Sequence, residues 1–153
     1  MKEILFVISL VGLMQFSCTK PNICSEPDAC SSANTSLDGK WRMIIVKDNI
    51  SGYSATKPDS IKRDVDITFM SSSATTGTFT GNTVNNTIWG DNSYAIGSGQ
   101  SLIINNLCIT KVGEAVWGNE FINNIRNSQA YSFEKCDKLN IRTTNKTLVF
   151  QKL

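Results

Sequence analysis

The sequence predicts an α+β fold, a curved antiparallel sheet or partial β-barrel of about 7–8 strands with one packed helix at about residues 114–127. Two patterns carry that reading. Short apolar or alternating runs such as Val65-Asp66-Ile67-Thr68-Phe69, closed by polar turn residues, recur from Trp41 to Ile109 and again from Ala130 to Gln151. Such alternation buries one face of a strand. Between the two groups Trp117, Phe121 and Ile125 recur every four residues, which draws one apolar stripe along a helix. A lone amphipathic helix has only the sheet to bury against, so it must cover an open end or face of it.

The chain opens with Lys2, the apolar run Ile4 to Met14, and then Gln15-Phe16-Ser17-Cys18. A spanning helix needs about 20 apolar residues, roughly twice this run. Residues 1–17 therefore read as a bacterial lipoprotein signal peptide, with the small Ser17 before the cut and Cys18 as the lipidated, palmitate-bearing first residue of the mature chain. Cleavage to an unanchored secreted protein is the alternative. Several acyl chains on one cysteine, at about 0.8 kcal/mol per buried methylene, hold a membrane stably. The expected address is the bacterial cell envelope, lipid-anchored at the outer membrane or at the periplasmic face of a membrane.

Residues 18–36 are rich in Ser, Pro, Asn and Cys without apolar periodicity, and read as a lipid-anchored linker. With Cys18 set aside, Cys24, Cys30, Cys108 and Cys136 form an even set. Cys24 and Cys30 bracket a polar loop that a disulfide would rigidify, and Cys108 with Cys136 follows by elimination. Free thiols in a reducing compartment account for the same residues. A structural zinc is disfavoured, because there is no histidine and no close Cys-x-x-Cys pair. Neither a metal nor a cofactor is expected.

From Leu37 to Leu153 the chain reads as one domain, since about 135 residues beyond the signal support a single core. Trp41 to Val46 is a first strand after the Asp38-Gly39 turn, and residues 49–60 are a polar loop. Val65 to Phe69 and Gly77 to Thr80 are partner strands. Trp89 and Tyr94 to Ile96 form a further strand broken at Gly90-Asp91-Asn92, and Gly97-Ser98-Gly99 is a turn. Leu102 to Ile104 and Leu107 to Ile109 are short strand-like runs. The helix follows from about Glu114, with Asn119, Asn123 and Asn124 facing water. Ala130 to Glu134, Leu139 to Arg142 and Thr147 to Gln151 then form an antiparallel meander.

Net charge is +2 from 15 basic and 13 acidic residues, scattered without a basic stripe, which disfavours nucleic acid as a partner. A charged fraction of only 18%, with abundant Ser, Thr and Asn, fits an exported β-rich protein, expected to be a monomer.

Several segments together resemble the META domain family, the HslJ-like group of small bacterial envelope lipoproteins. They are LDGKW from Leu37 to Trp41, Ile67 to Phe69, Gly77 to Gly81, Ser101 to Ile104, Thr110 to Glu114 leading into Trp117 to Phe121, and the closing TNKTLVFQKL from Thr144. The resemblance spans nearly the whole of residues 37–153. Many members carry Gly-Cys-Asn in the central turn region, where this chain has Gly81-Asn82-Thr83. The resemblance implies export and a role in envelope stress tolerance or as an interaction module, and it supplies no reaction.

No catalytic residues are assigned. Without histidine the Ser-His and Cys-His arrangements cannot form. Asp64 with Asp66, and Glu114 with Glu120, are the carboxylate pairs available for acid–base work, against a plainer reading as solvated faces and a helix-start acid. The expected function is a non-catalytic envelope lipoprotein. The alternative is a lipocalin-like carrier of a small apolar ligand, since the Gly39-Lys40-Trp41 start is also similar to that family's first strand. Trp89, with Asn85 and Asn86, is the candidate contact surface for a protein or glycan partner, weighed against ordinary anchoring of a loop. Asp59-Ser60-Ile61 resembles a short O-glycosylation signal of Bacteroidetes envelope proteins, which makes Ser60 a candidate acceptor.

Overall fold

The computed structural model describes residues 36–135 and 137–153. The expected signal peptide, the lipidation site Cys18, the Cys24–Cys30 pair, nearly all of the linker and Cys136 lie outside the described residues.

Ten strands and one helix make up the described chain. The strands are β1 (Gly39–Asp48), β2 (Ser54–Thr56), β3 (Asp66–Ser71), β4 (Thr76–Asn82), β5 (Thr87–Ile96), β6 (Leu102–Ile104), β7 (Cys108–Ile109), β8 (Ser128–Glu134), β9 (Lys138–Thr143) and β10 (Lys146–Lys152). Helix α1 (Val116–Ile125) joins β7 to β8. Eight strands follow the order β6-β5-β4-β3-β1-β10-β9-β8, while β2 pairs only with β1 and β7 only with β5. All pairings are antiparallel. The two outer strands come together where Ser101 bridges Ala130 and the Ile104 N–H donates to Ser128 Oγ at 3.2 Å. The sheet is thus a nearly closed barrel, as the alternating runs predict.

Length decides how β1 is shared. Its first half, Gly39 to Arg42, pairs with β3, and Ile45 to Lys47 pairs with β2, with a bulge between Met43 and Ile45 that turns the strand. Strands β2 and β3 therefore occupy one slot beside β1, interrupted by the excursion 57–65. Residues 49–60, expected to be wholly loop, contain β2: three small residues, Ser54-Ala55-Thr56, carry too little alternation to be read as a strand. Strand β5 is continuous through Gly90-Asp91-Asn92 and not broken there. A bulge opposite β4, with Asn92 at φ 48°, absorbs the turn-like residues.

The barrel interior is filled by side chains. Trp41, Met43, Ile67, Phe69, Phe79, Ile88, Tyr94, Leu139, Ile141, Leu148 and Phe150 are all buried, and Trp117, Phe121 and Ile125 of α1 join the same cluster. Phe121 meets Phe150 edge to face at 6.3 Å, and Phe69 meets Tyr94 at 5.3 Å. Tyr94 lies across Gly77 on β4, where a Cβ would collide with its ring.

Two poles follow from the strand directions. At one, β1 ends at Asp48, β4 at Asn82 and β9 at Thr143, β10 begins at Lys146, and α1 closes the opening. At the other, β1 begins, and the preceding residues are fixed to the body: Leu37 is buried, its carbonyl accepts from Trp41 Nε1 at 2.7 Å, and Asp38 Oδ1 accepts from Ser71 N–H at 2.7 Å. The helix spans Val116 to Ile125, two residues shorter at each end than its expected range, because Ala115 is extended and Glu114 is engaged elsewhere.

Replacing Phe121 with Ala is expected to cost about 3–5 kcal/mol in urea unfolding, because it empties the contact between the helical plug and β10.

Candidate functional site

The helical pole carries a groove of about 400 Å³ between α1 and the ends of β1, β2 and β10. Val46, Ala55, Pro58, Val116 and Trp117 give it an apolar wall, and Asp48, Glu120 and Lys146 stand at its polar side. Its size suits a small molecule or one bulky side chain of a partner.

The segment Asp48-Asn49-Ile50-Ser51-Gly52-Tyr53 builds the groove's outer lip. Asp48 Oδ1 accepts from the N–H of Ile50 (3.0 Å), the N–H of Ser51 (2.8 Å) and Ser51 Oγ (2.9 Å), and Gly52 N–H donates to the Asp48 carbonyl at 3.0 Å. Gly52 sits at φ 73°, a left-handed conformation that a side chain would strain. The hydrogen bonds from Ser51 and then Ile50 hold the Asp48 carboxyl below its usual range, so it is ionised at neutral pH. Asn49 ties this lip to the β9–β10 turn through its N–H to the Asn145 carbonyl at 2.9 Å. Across the groove Lys146 Nζ meets Glu120 Oε2 at 2.6 Å.

Exposed apolar surface concentrates here. Among the described residues the three most exposed large hydrophobics are Ile50 (84%), Val116 (76%) and Tyr53 (70%); Val116 and Tyr53 line this groove, and Ile50 precedes the lining residue Ser51. Trp117 completes the wall. Its indole N–H is buried without a hydrogen-bond acceptor, an arrangement native proteins rarely leave.

Glu114 fixes the helical pole. Its Oε2 accepts from Thr83 Oγ1 and from Asn86 Nδ2 (2.7 Å), and its Oε1 accepts from the N–H groups of Asn85 (3.1 Å) and Ala115 (3.0 Å). Asn86 Oδ1 in turn accepts from Val112 N–H (2.8 Å) and Thr110 Oγ1 (3.0 Å). The β4–β5 turn and the segment preceding α1 are thereby sewn together through one carboxylate. Burial pushes the Glu114 carboxyl up, but the hydrogen bonds from Asn86 and Thr83 and then from the two N–H groups outweigh it, and its pKa lies below the usual range. Gly118 leaves room for this side chain, since a Cβ there would strike the Glu114 carboxylate.

The expected sites separate. Trp89 lies within β5 and not in a loop, and is 39% exposed; Asn86 is 5% exposed and its amide is spent on Val112 and Glu114. Asn85 donates to the Gly113 carbonyl at 2.7 Å. Of the expected contact surface, Trp89 and Asn85 are exposed, whereas Asn86 is buried and holds the fold together. Cys108 is exposed on β7, and Cys136, its expected disulfide partner, lies outside the described residues.

Ser60 sits exposed in the turn closed by Ile61 N–H to the Pro58 carbonyl at 3.0 Å, where an acceptor must be. The carboxylate pairs do not converge. Asp64 pairs with Lys57 at 2.6 Å and Arg42 at 3.5 Å, and Asp66 with Lys40 at 3.4 Å. Glu114 precedes the helix instead of lying on it, and Glu120 faces Lys146. Sequence reasoning did not find the groove. Its one local signal is the Asp48-Asn49-Ile50-Ser51-Gly52 turn with an isoleucine at its tip.

No protein-family model matches the chain, and no curated protein matches it in sequence. Among solved structures it is similar to the NMR structure of a protein from Burkholderia xenovorans, at 19% identity over 76% of this chain and 83% of that one, with a TM-score of 0.56. At that identity the likeness speaks for the fold alone.

Glu114→Gln is expected to destabilise the protein by about 1–2 kcal/mol at neutral pH, since an amide offers an N–H to donors already pointing inward. Because the folded-state pKa is lowered, the wild-type advantage is full above the usual carboxylate range and vanishes as pH falls through the Glu114 value. Urea unfolding of both proteins across acid pH checks this: the two stabilities should converge on acidification.

Proposed function

We propose that the protein is a lipid-anchored lipoprotein of the bacterial cell envelope whose single META-like domain is a non-catalytic interaction module, with envelope stress tolerance as the setting that the family resemblance implies. The observation that carries this reading is the gathering of exposed apolar side chains around one groove at the helical pole, while the barrel interior is packed solid. The charged groups agree with it. Asp64, Asp66 and Glu120 are paired with lysine or arginine, and Glu114 is saturated with hydrogen bonds, so none stands ready as a general acid or base.

Geometry also gives the tether a direction. The chain joins the barrel at Leu37, at the start of β1, and the groove lies past its other end; ten residues of strand separate them, about 30 Å. A lipid on Cys18 would leave the groove on the side away from the tether's attachment point. A carrier of a small apolar ligand is the second reading. Filled by Trp41, Phe69, Phe79, Phe121 and Phe150, the interior offers such a ligand no lipocalin-like cavity, so the ligand would have to lie in the external groove.

Intact-mass measurement and membrane fractionation of the protein from a producing bacterium test the anchor. A mature chain beginning at Cys18 with added acyl mass is expected in the membrane fraction, and Cys18→Ala should release it to the soluble fraction. An unprocessed leader, or a Cys18→Ala chain that stays membrane-bound, contradicts the proposal.

A further inference from the structure

We infer that the groove at the helical pole binds an extended peptide of a partner protein, pairing with the free edge of β2 and inserting a bulky apolar side chain, with a cationic side chain beside it. This deepens the interaction-module reading and rests on it. Three observations select that occupant over others.

Backbone comes first. Strand β2 pairs with β1 on one side, Val46 opposite Ala55, and among the described residues no strand pairs with it on the other. The cause is visible in the register: β4, the neighbour that would extend past it, ends at Asn82 opposite Asp66 and turns back through residues 83–86. That edge of β2 is left without a strand neighbour, and the groove lies against β2 through Ala55 and Thr56. Unpaired main-chain donors and acceptors on a sheet edge are satisfied best by another extended chain, which a fatty acid cannot be.

Shape and polarity come second. Beside that edge, Ala55, Pro58, Val116 and Trp117 form an apolar recess that the exposed Tyr53 also lines. A side chain projecting from an added strand enters it directly. Trp117, whose indole N–H is buried without an acceptor, stands in the wall of this recess.

Charge comes third. The groove-lining residues contribute two carboxylates, Asp48 and Glu120, against one ammonium, Lys146, a surplus of one negative charge. Lys146 meets Glu120 at 2.6 Å and also acts on Asp48, its partner in the β1–β10 register, so two carboxylates share one ammonium, and Asp48 is held ionised chiefly by the turn it caps. A lysine or arginine two positions from the inserted side chain lies on the same strand face and meets it.

The test uses the mature chain from residue 18, carrying Cys18→Ala so that no detergent is needed, titrated by amide NMR with acetyl-Thr-Phe-Thr-Lys-Thr-amide. Shifts are expected to centre on Ser54 to Thr56, Val116 to Glu120 and the Trp117 indole N–H. Backbone N-methylation of the peptide should weaken binding by about tenfold through lost strand hydrogen bonds. Glu in place of its Lys, or Asp48→Asn, which keeps the Oδ1 acceptor, should weaken it by about two- to fivefold, an effect erased by salt. Val116→Glu, at a position 76% exposed, should block the groove while the fold and the remaining spectrum stay intact. If dodecanoate moves the groove resonances and the peptide does not, the site takes a small apolar ligand: the peptide inference falls and the carrier reading replaces the interaction module. If the peptide binds equally well when N-methylated, or shifts only residues elsewhere, the inference falls and the module reading stands. If no probe moves the groove, both the inference and the groove's role in the module fall, and lipidation stands or falls separately on the mass measurement.

Discussion

One carboxylate sets the geometry of the functional pole. A barrel this small must close its open end, and the one α-helix among the described residues arrives on a connection from a two-residue strand. Apolar contact through Trp117, Phe121 and Ile125 buries the helix but does not fix its rotation or its depth, because the hydrophobic effect has no direction. Glu114 supplies the direction. By accepting from the β4–β5 turn and from Ala115 at once, it pins the start of the helix over residues 83–86, and it does so with charge-assisted bonds in a partly buried setting where they are stronger. Gly118 is the companion requirement, since only a residue without a side chain clears the carboxylate one turn later.

Pinning the helix there has a consequence on the far side of its first turn. Val116 and Trp117 are held facing β2, whose outer edge has no strand neighbour among the described residues. The groove is thus the space left between a helix anchored by β4–β5 and a sheet edge left open by the early end of β4. Its lip is equally constrained, through the Asp48 turn and the Asn49 link to the β9–β10 turn.

Much of the fold is legible in the sequence because strand alternation and four-residue spacing are local signals. The runs at Trp41 to Val46, Val65 to Phe69 and the closing meander appear as strands, and the stripe of Trp117, Phe121 and Ile125 is buried. What escapes is tertiary. Ser54-Ala55-Thr56 becomes a strand only because β1 is long enough to pair twice, and Gly90-Asp91-Asn92 stays within a strand because a bulge can hold a left-handed residue. Asn86 looks like loop surface until Glu114, 28 residues away, claims its amide. Beyond the Asp48 to Gly52 turn the groove leaves no local signal, since its wall combines β1, β2, α1 and β10.

Native-state hydrogen exchange of the wild type and Glu114→Ala is the most direct measurement of whether one carboxylate governs the pole. The account requires that protection fall together in Thr83 to Asn86 and in Val116 to Ile125, while the paired amides of β1, β9 and β10 keep theirs. Unchanged protection of the helix in the variant would mean that apolar packing alone seats it, and would contradict the account.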